Sequence, residues 1–390
     1  MSTPPPPVAV FTPGAPVNNK DFFAGRITQI RRVVDAIPSP GRHPLIFGQR
    51  GVGKTSLANI LRDLLPDVWS VKVNCDGADT FTLIWDRVLQ KASIGFKKAA
   101  FGLLQEDVTE YVSLRSFVPH NNPIGPSDVA DVFAKLQTHA VFILDEFDRV
   151  GGEDAKSQMA DLIKNVSDNN ANVTIVLVGV ASSIPGLIGE HPSVQRNLVQ
   201  IELPPMSDQE IGDIVKKGCG TLGLTLLEGV IEDISSLSHG FPHYAHLLGL
   251  SAARAAKIRE TTNIDLDLFR TLACDLAVED AVETYRSMYT KATRTIKPSR
   301  YPRLLCACAY AAHDELGVFR ATDVVDAMQT IFDEDLVLQA VVPALGKFCS
   351  IERGAVLEKV PVADFSHYKF TDPMLRPFLR IKARGMGITG

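Results

Sequence analysis

The 390-residue sequence lacks the patterns that mark secreted, membrane-spanning and zinc-binding proteins. Its six cysteines include no Cys-x-x-Cys pair and no histidine at the spacing that a zinc site requires, so we expect reduced, mostly buried thiols. No apolar run reaches about 18 residues, and the N-terminus has no basic region followed by an apolar core. These absences predict a cytoplasmic protein with no membrane partner.

An excess of charge of one sign is also missing. The formal net charge is −5 at pH 7. This balance produces no overall cationic field, so DNA could bind only at a local basic patch. With 45% hydrophobic residues the chain can bury more than one core, and we expect two or three globular units.

The sequence divides into four regions. Residues 1–20 contain the run Pro4–Pro7 and are predicted to be a flexible, Pro-rich tail, because four prolines alone are weak evidence for a peptide ligand. Residues 21–205 are predicted to form the core, with an insertion at about 76–139. Residues 206–270, which open on a capping box at Ser207, are predicted to form a helical lid. Residues 271–390 are predicted to be a helical linker and a winged-helix-like domain.

Strand patterns in the core region predict an α/β fold. Ala140–Leu144 and Val173–Val178 are apolar almost throughout, as in strands that are buried on both faces. Trp69–Val73 and Val199–Leu203 alternate instead, and Pro44–Phe47 is a further short strand. Because helical patterns separate these segments, we expect a largely parallel sheet with half-exposed outer strands.

A glycine-rich segment follows that short strand and opens an amphipathic helix. In a loop of this kind the backbone N–H groups surround phosphates, Lys54 neutralises the β- and γ-phosphates, and the Thr55 hydroxyl binds Mg. An ordinary glycine-rich turn is disfavoured by the position between strand and helix. The predicted ATP-binding residues are Gly48, Gln49, Arg50, Gly51, Val52, Gly53, Lys54, Thr55 and Ser56.

Two carboxylates, Asp145 and Glu146, end the buried strand at 140–144. Ligands lie at the carboxyl ends of parallel strands, so these side chains should face the phosphate loop. We expect Asp145 to hold Mg and Glu146 to orient and polarise the attacking water. A solvated strand end is the alternative, and the phosphate loop argues against it.

With these motifs the chain resembles the AAA+ superfamily, and within it the initiator clade of origin-recognition and archaeal replication-initiator ATPases with their STAND-like bacterial relatives. Phe23–Arg26 resembles the box before the first strand, and Gly48–Thr55 and Phe142–Asp148 resemble the two Walker motifs. Leu177–Ser182 resembles sensor 1, and Gly240–His243 resembles the start of the sensor-2 helix. The resemblance covers roughly residues 20–260 and implies an AAA+ parallel-sheet P-loop core with a helical lid and a C-terminal winged-helix-like domain.

The resemblance also implies three further site residues. Ser182 stands where initiators usually have Asn, and its hydroxyl can still hydrogen-bond a γ-phosphate or water. His243 stands where sensor 2 usually offers Arg, so a weak phosphate contact and a packed structural histidine are both open. Arg196 lies where the family places an arginine finger that acts on a neighbouring subunit's ATP, which implies self-association; an ordinary exposed arginine is the alternative.

One basic patch could contact DNA. Lys291, Arg294 and Lys297 are spaced by three, so they could line one helix face. The recognition helix of the winged-helix-like domain is instead predicted to begin with the acidic run Asp333–Asp335 and offers only Lys347, so a protein-binding domain is the alternative. The predicted DNA contacts are Arg286, Lys291, Arg294, Lys297, Arg300 and Arg303.

A second basic cluster near the C-terminus is predicted to be a solvated tail. It contains Arg376, Arg380, Lys382 and Arg384.

The sequence therefore predicts an ATP-hydrolysing AAA+ switch of modest turnover that binds ATP, ADP and Mg and acts in a DNA-associated or multiprotein assembly. The alternative is a STAND-like signalling or defence ATPase that contacts protein rather than DNA. A small-molecule kinase is disfavoured by the sensor-like strand, the helical lid and the long C-terminal extension.

Overall fold

The structure is a computed structural model. It describes residues 4–18, 23–98, 108–119, 123–169, 172–180, 188, 192–296, 299–314, 316–361 and 367–385.

The strands of this part of the chain are as follows, in chain order: β1 (His43–Gly48), β2 (Trp69–Asn74), β3 (Ser93–Lys98), β4 (Val108–Ser113), β5 (Ala140–Asp145), β6 (Val173–Val180), β7 (Leu198–Glu202), β8 (Thr225–Leu226), β9 (Asn263–Ile264), β10 (Phe319–Arg320), β11 (Leu357–Val360) and β12 (His367–Phe370).

The helices, again within the described residues, are α1 (Pro7–Val10), α2 (Ile27–Ala36), α3 (Lys54–Leu64), α4 (Phe81–Lys91), α5 (Pro126–Phe133), α6 (Glu153–Asp168), α7 (Pro192–Gln195), α8 (Asp208–Thr221), α9 (Val230–Ser238), α10 (Pro242–Ile258), α11 (Leu266–Leu268), α12 (Cys274–Asp280), α13 (Glu283–Thr293), α14 (Tyr301–Tyr310), α15 (Ala321–Phe332), α16 (Leu338–Phe348) and α17 (Leu375–Arg384). None of the helices described is long and apolar enough to cross a membrane.

A parallel sheet forms the centre of the core region, with the order β2-β5-β6-β1-β7. Its inner strands β1 and β5 are buried along their whole length, because helices cover both faces. The outer strands β2 and β7 alternate between buried and exposed residues. The predicted α/β fold with half-exposed outer strands is confirmed.

Residues 76–139, predicted to be an insertion, contribute to one face of this sheet. Their helices α4 and α5 bring Trp85 and Phe133 against the sheet, where the Phe133 ring stacks on Phe142 with 4.8 Å between ring centroids. The antiparallel pair β3 and β4 lies between the two helices in sequence. Part of the predicted insertion therefore belongs to the hydrophobic core.

The capping box predicted at Ser207 opens α8. The Ser207 hydroxyl accepts a hydrogen bond from the Glu210 amide at 3.3 Å, and the Glu210 carboxylate accepts one from the Ser207 amide at 3.0 Å. Glu210 also accepts a hydrogen bond from the Arg26 amide at 2.7 Å. This carboxylate therefore ties the lid to the start of the core region.

The C-terminal domain follows the order α14, β10, α15, α16, β11, β12, with its strands in an antiparallel sheet of order β10-β12-β11. This is the order that a winged-helix-like domain requires. The third helix does not begin with the acidic run Asp333–Asp335 as predicted, because α16 begins at Leu338. Asp333 closes α15 in a left-handed conformation with φ 51°, so the acidic run lies in the connection between the helices.

The N-terminal segment was expected to be a free tail, and the structure differs. Pro7 begins the short helix α1, a position where its missing N–H costs nothing, and Val10 and Phe11 are buried. A Cβ on Gly218 or Gly249 would lie within 2.4 Å of the Phe11 ring, so two glycines of the lid make room for it. The proline content of the sequence obscured an apolar anchor, Val10 and Phe11, that packs on the lid.

Candidate functional site

The glycine-rich loop joins β1 to the N-terminus of α3. Gly51 and Gly53 have φ values of 85° and 97°, which side chains rarely adopt, and a Cβ on Gly48 would lie 2.3 Å from the Leu203 carbonyl oxygen. The loop thus needs glycine at these positions. Its backbone conformation is the one that directs N–H groups towards an anion.

Lys54 lies across the opening of the loop. Its ammonium donates hydrogen bonds to the carbonyls of Gly48 at 3.0 Å and Gln49 at 2.7 Å. Burial lowers the pKa of Lys54 to about 8, while the nearby Asp148 and Asp145 act in the opposite direction. The ammonium is therefore a partly desolvated cation, which strengthens its attraction to phosphate oxygens.

Asp145 and Thr55 meet at the base of the loop. The Thr55 hydroxyl donates to Asp145 Oδ1 at 3.4 Å, and the Asp145 side chain is almost fully buried. A hydroxyl and a carboxylate oxygen side by side are the donors that Mg prefers. The two residues thus fit the predicted metal site.

Lys72, on the neighbouring strand β2, also binds Asp145, a contact that the sequence did not indicate. Its ammonium lies 2.8 Å from Asp145 Oδ2 and also donates to Asn59 of α3. The Asn59 amide in turn donates to Asn18. A chain of polar contacts therefore runs from the N-terminal segment to the predicted metal ligand.

Glu146 follows in a left-handed conformation with φ 58°, which turns its side chain out of the strand direction and into the wall of the cavity. Arg149 Nη1 lies 2.9 Å from its carboxylate. Asp148 accepts a hydrogen bond from the Val180 amide at 2.8 Å, which fixes the turn against the end of β6. The turn after Asp145 and Glu146 is therefore held by a hydrogen bond to β6, and Glu146 has a charged neighbour, Arg149.

These groups line one cavity of about 790 Å³. The phosphate loop and the acidic pair form its floor, and residues 12–17 of the N-terminal segment form another wall. His243 and His246 of the lid and Met374 of the C-terminal domain complete it. The cavity has the volume of a small-ligand site, and every region of the chain contributes to it.

His243 lies in this cavity, and its ring already has a partner. Nδ1 is 2.7 Å from the Pro13 carbonyl, which can only accept, so Nδ1 carries the proton. Burial lowers the pKa of His243, which keeps the ring neutral. In this conformation His243 fastens the N-terminal segment to the lid and leaves only an accepting Nε2.

The C-terminal domain contacts the phosphate loop directly. A Cβ on Gly51 would lie 2.4 Å from Met374 Sδ, and Arg50 lies 3.8 Å from Asp372. The Tyr244 hydroxyl of the lid donates to the Met374 carbonyl at 2.6 Å in a buried position. We call these contacts the C-terminal clamp, and no local sequence pattern pointed to it.

Two predicted catalytic residues lie away from these contacts. Arg196 follows α7, is 71% exposed, and lies 3.5 Å from Asp168. Arg196 does not line the cavity of its own chain. Its action on a neighbouring subunit therefore stays a prediction. Ser182 lies outside the described residues.

The predicted DNA patch is less continuous than expected. Helix α13 ends at Thr293, so Lys291 and Arg294 do not share a helix face, and Lys297 lies outside the described residues. Arg286 pairs with Glu283 at 2.6 Å, and Arg300 and Arg303 both pair with Glu334, at 3.7 and 3.1 Å. The prediction of a single cationic face on one helix is wrong, because the helix ends at Thr293 and acidic neighbours pair with three of the five cations that the structure describes.

Comparison with protein families settles the class of the core. Residues 39–188 match the model of an AAA domain. These residues form an AAA domain. The match spans the phosphate loop and the acidic pair, so both predicted motifs lie within the AAA domain, and the resemblance to the AAA+ superfamily is confirmed.

Solved structures resemble the whole chain, at low identity. A Walker-type ATPase of Pyrococcus abyssi is 17% identical, with 94% of this chain and 99% of that chain covered and a TM-score of 0.53. Orc1 of Aeropyrum pernix, solved in complex with DNA, is 16% identical, with 96% of each chain covered and a TM-score of 0.49. The RuvB branch-migration motor of Thermotoga maritima is 14% identical, with 91% and 95% covered and a TM-score of 0.45. No curated protein sequence matches the chain. The Pyrococcus structure supports the fold, an AAA+ core followed by the lid and the C-terminal domain.

Proposed function

We propose that this protein binds ATP with Mg in the cavity over the phosphate loop, hydrolyses it, and uses the nucleotide to control the C-terminal clamp. The observation that carries the proposal is the contact of Met374 and Asp372 with the phosphate loop. A domain that rests on the loop must respond when phosphates enter or leave it. Differential contact of this kind is what allows a ligand to shift a conformational equilibrium.

The arrangement at the ends of β1 and β5 supports hydrolysis. Loop amides and Lys54 hold the phosphates, and Lys54 exchanges its two carbonyl contacts for phosphate oxygens. Thr55 and Asp145 would hold Mg, which would supply positive charge to neutralise the β- and γ-phosphates. Glu146 accepts a hydrogen bond from the attacking water and aligns it, and Arg149, whose Nη1 lies 2.9 Å from the Glu146 carboxylate, holds that carboxylate in place.

Residues 12–17 are proposed to cover the base or ribose of the nucleotide. They line the cavity beside the lid, and the Val17 amide donates to the Ser56 hydroxyl of α3 at 3.1 Å. His243 holds the same segment through Pro13. His243 would then act on the nucleotide through this segment and not as a γ-phosphate sensor.

Hydrogen–deuterium exchange tests the switch. The Glu146→Gln protein should hold ATP without hydrolysing it, so its ATP and ADP forms can be compared directly. We expect amides in Thr371–Leu379 to exchange at different rates in the two forms, while those of β5 stay equally protected in both. Identical exchange over Thr371–Leu379 in both nucleotide forms would contradict control of the clamp.

The output of the switch is proposed to be a protein contact. Four of the exposed apolar side chains, Val337, Leu338, Val342 and Ile351, lie on or beside α16, the helix that would have to enter a DNA groove. The same helix offers Lys347, whose ammonium is hydrogen-bonded to the Tyr301 hydroxyl at 2.9 Å. This surface suits an apolar protein partner better than phosphates.

DNA is the second candidate, and one observation favours it. Lys291 and Arg294 form no ion pair with any carboxylate of the described residues, so both charges are available to phosphates. Fluorescence anisotropy with duplex DNA, at increasing salt, compares wild type with Lys291→Ala/Arg294→Ala. Salt-sensitive binding that the double variant loses would establish the DNA role, and binding that is absent or insensitive to salt would exclude it.

Arg196 is proposed to reach the ATP of a neighbouring subunit. A mixing experiment tests this, because Arg196→Ala retains its own ATP site and Lys54→Ala retains its Arg196. If the two act across an interface, the mixture should hydrolyse ATP faster than the sum of the separate proteins. A mixture that only equals this sum would assign Arg196 to its surface pair with Asp168.

A further inference from the structure

A second cavity, of about 1030 Å³, lies where the core, the lid and the C-terminal domain meet. Gly48 and Gln49, at the start of the phosphate loop, form part of its wall. Pro205, Phe241 and Phe370 give it an apolar surface. It is therefore a small-molecule-sized space that touches the ATP-binding loop from outside the ATP site.

Two arginines of α17, Arg376 and Arg380, line this cavity one helical turn apart. The expectation of a solvated basic tail is wrong for both: Arg376 is only 4% exposed, and burial lowers the pKa of Arg380. Within the described part of the chain, no carboxylate lies within ion-pair distance of either guanidinium. Two cations, Arg376 buried and Arg380 partly buried, thus share one cavity wall with no counter-ion among the residues that the structure describes.

Backbone carbonyls orient the two guanidiniums without neutralising them. Arg376 donates to the carbonyls of Ala309 at 3.1 Å and Ala311 at 3.0 Å, at the end of α14. Arg380 donates to the Ser236 carbonyl at 2.8 Å, near the end of α9, and its Nε is buried with no hydrogen-bond partner among the described residues. Helix C-termini offset part of a positive charge, so these contacts explain the placement of the side chains. They leave a formal charge of two.

Two imidazoles beside the arginines add no negative charge. Arg380 donates to His239 Nδ1 at 3.4 Å, so the proton of His239 is on Nε2, which lies 3.1 Å from His313 Nε2. His313 in turn carries its proton on Nδ1 and donates to the Asp314 carbonyl at 2.9 Å. Burial, and then the arginines, lower the pKa of His239 to about 3, so the pair stays neutral.

Buried charges in proteins are normally paired, because leaving an ion unpaired away from water is costly. Two adjacent guanidiniums match the oxygens of a phosphate group, which they can bind through parallel N–H donors. Glu202, Asp208 and Asp314 line other parts of the same cavity and can accept hydrogen bonds from hydroxyl or amino groups. Charge and shape therefore both describe a phosphorylated small molecule with polar substituents.

We propose that this cavity is a second ligand site, which binds a small phosphorylated molecule with its phosphate on Arg376 and Arg380. The cavity closes only when the C-terminal domain rests on the core and lid. A ligand there would therefore favour the closed arrangement. The site does not depend on hydrolysis at the ATP site, and its ligand binding can be measured without activity.

Pyrophosphate is the probe, and saturating ADP with Mg keeps it out of the phosphate loop. Isothermal titration calorimetry should show binding to the wild-type protein under these conditions. Arg380→Gln should weaken the affinity at least about tenfold, because it removes a charged hydrogen-bond donor. Arg380→Lys, which keeps the charge but not the planar donor set, should give an intermediate affinity.

Lys382→Gln is the matched control, because it removes a charge from the same helix at a position that does not line the cavity. It should bind pyrophosphate like the wild type. Circular dichroism establishes that each variant is folded, and Arg376→Gln provides a second test at the other guanidinium. No binding of pyrophosphate to wild type with ADP bound, or equal binding by Arg380→Gln and Lys382→Gln, would overturn the proposal.

Discussion

The hydrogen bond from Tyr244 to the Met374 carbonyl is the contact of the C-terminal clamp whose removal gives the most direct prediction. Tyr244 is fully buried, and the bond is 2.6 Å long. Tyr244→Phe keeps the ring and removes this one donor. A bond of this kind contributes about 0.5–1.5 kcal/mol, so the ratio of closed to open clamp should fall roughly 2- to 13-fold.

The assay is the dissociation of a fluorescent ADP analogue, followed by stopped flow after mixing with excess ATP. Met374 lines the nucleotide cavity, so a more frequently open clamp should release ADP faster by the same factor. Tyr289→Phe is the control, because its hydroxyl makes no hydrogen bond to the described residues. A folded Tyr244→Phe protein that releases ADP at the wild-type rate would refute the reasoning.

Three further predictions concern the ATP site. Lys54 attracts phosphate only when it is charged, and burial lowers its pKa to about 8, so the charged fraction falls roughly tenfold between pH 7 and pH 9. The Kd for ATP should therefore rise roughly tenfold over this range. A Kd that does not change with pH in equilibrium titrations would contradict this. Phe11→Ala, which removes about 3–5 kcal/mol of packing, should release the N-terminal segment and weaken ATP binding, whereas Val8→Ala, at an exposed position three residues earlier, should not. Lys72→Met removes a cation 2.8 Å from Asp145 and should lower the Mg concentration needed for half-maximal hydrolysis several-fold. Lys72→Arg keeps the charge and should leave that concentration unchanged. Hydrolysis rates measured over a range of Mg concentrations test this, and equal Mg dependence in Lys72→Met and wild type would contradict it.

The parts of the fold that the sequence predicted are those with a local cause. Apolar runs place the central strands within two residues of their bounds in the structure, because burial on both faces demands such runs. The phosphate loop needs glycine at its left-handed positions, and Ser207 caps its helix through a residue three positions away. Each signal lies within a few residues of the structure that it predicts.

The parts that the sequence could not predict depend on contacts between distant residues. Tyr244 and Met374 lie 130 residues apart, and nothing near either residue reveals the bond between them. Arg376 and Arg380 looked like solvated charges because a sequence does not show which helix ends they contact. Arg149, three residues after Glu146, was the one missed site residue whose spacing could have revealed it.

The central claim is that this AAA+ core hydrolyses ATP with Glu146 as the residue that activates water. Phosphate release and ATP affinity, measured together on wild type, Lys54→Ala and Glu146→Gln, test it most directly. We predict that wild type releases phosphate, that Lys54→Ala no longer binds ATP, and that Glu146→Gln binds ATP normally but hydrolyses it at least about 100-fold more slowly. Equal turnover by Glu146→Gln and wild type would contradict the account.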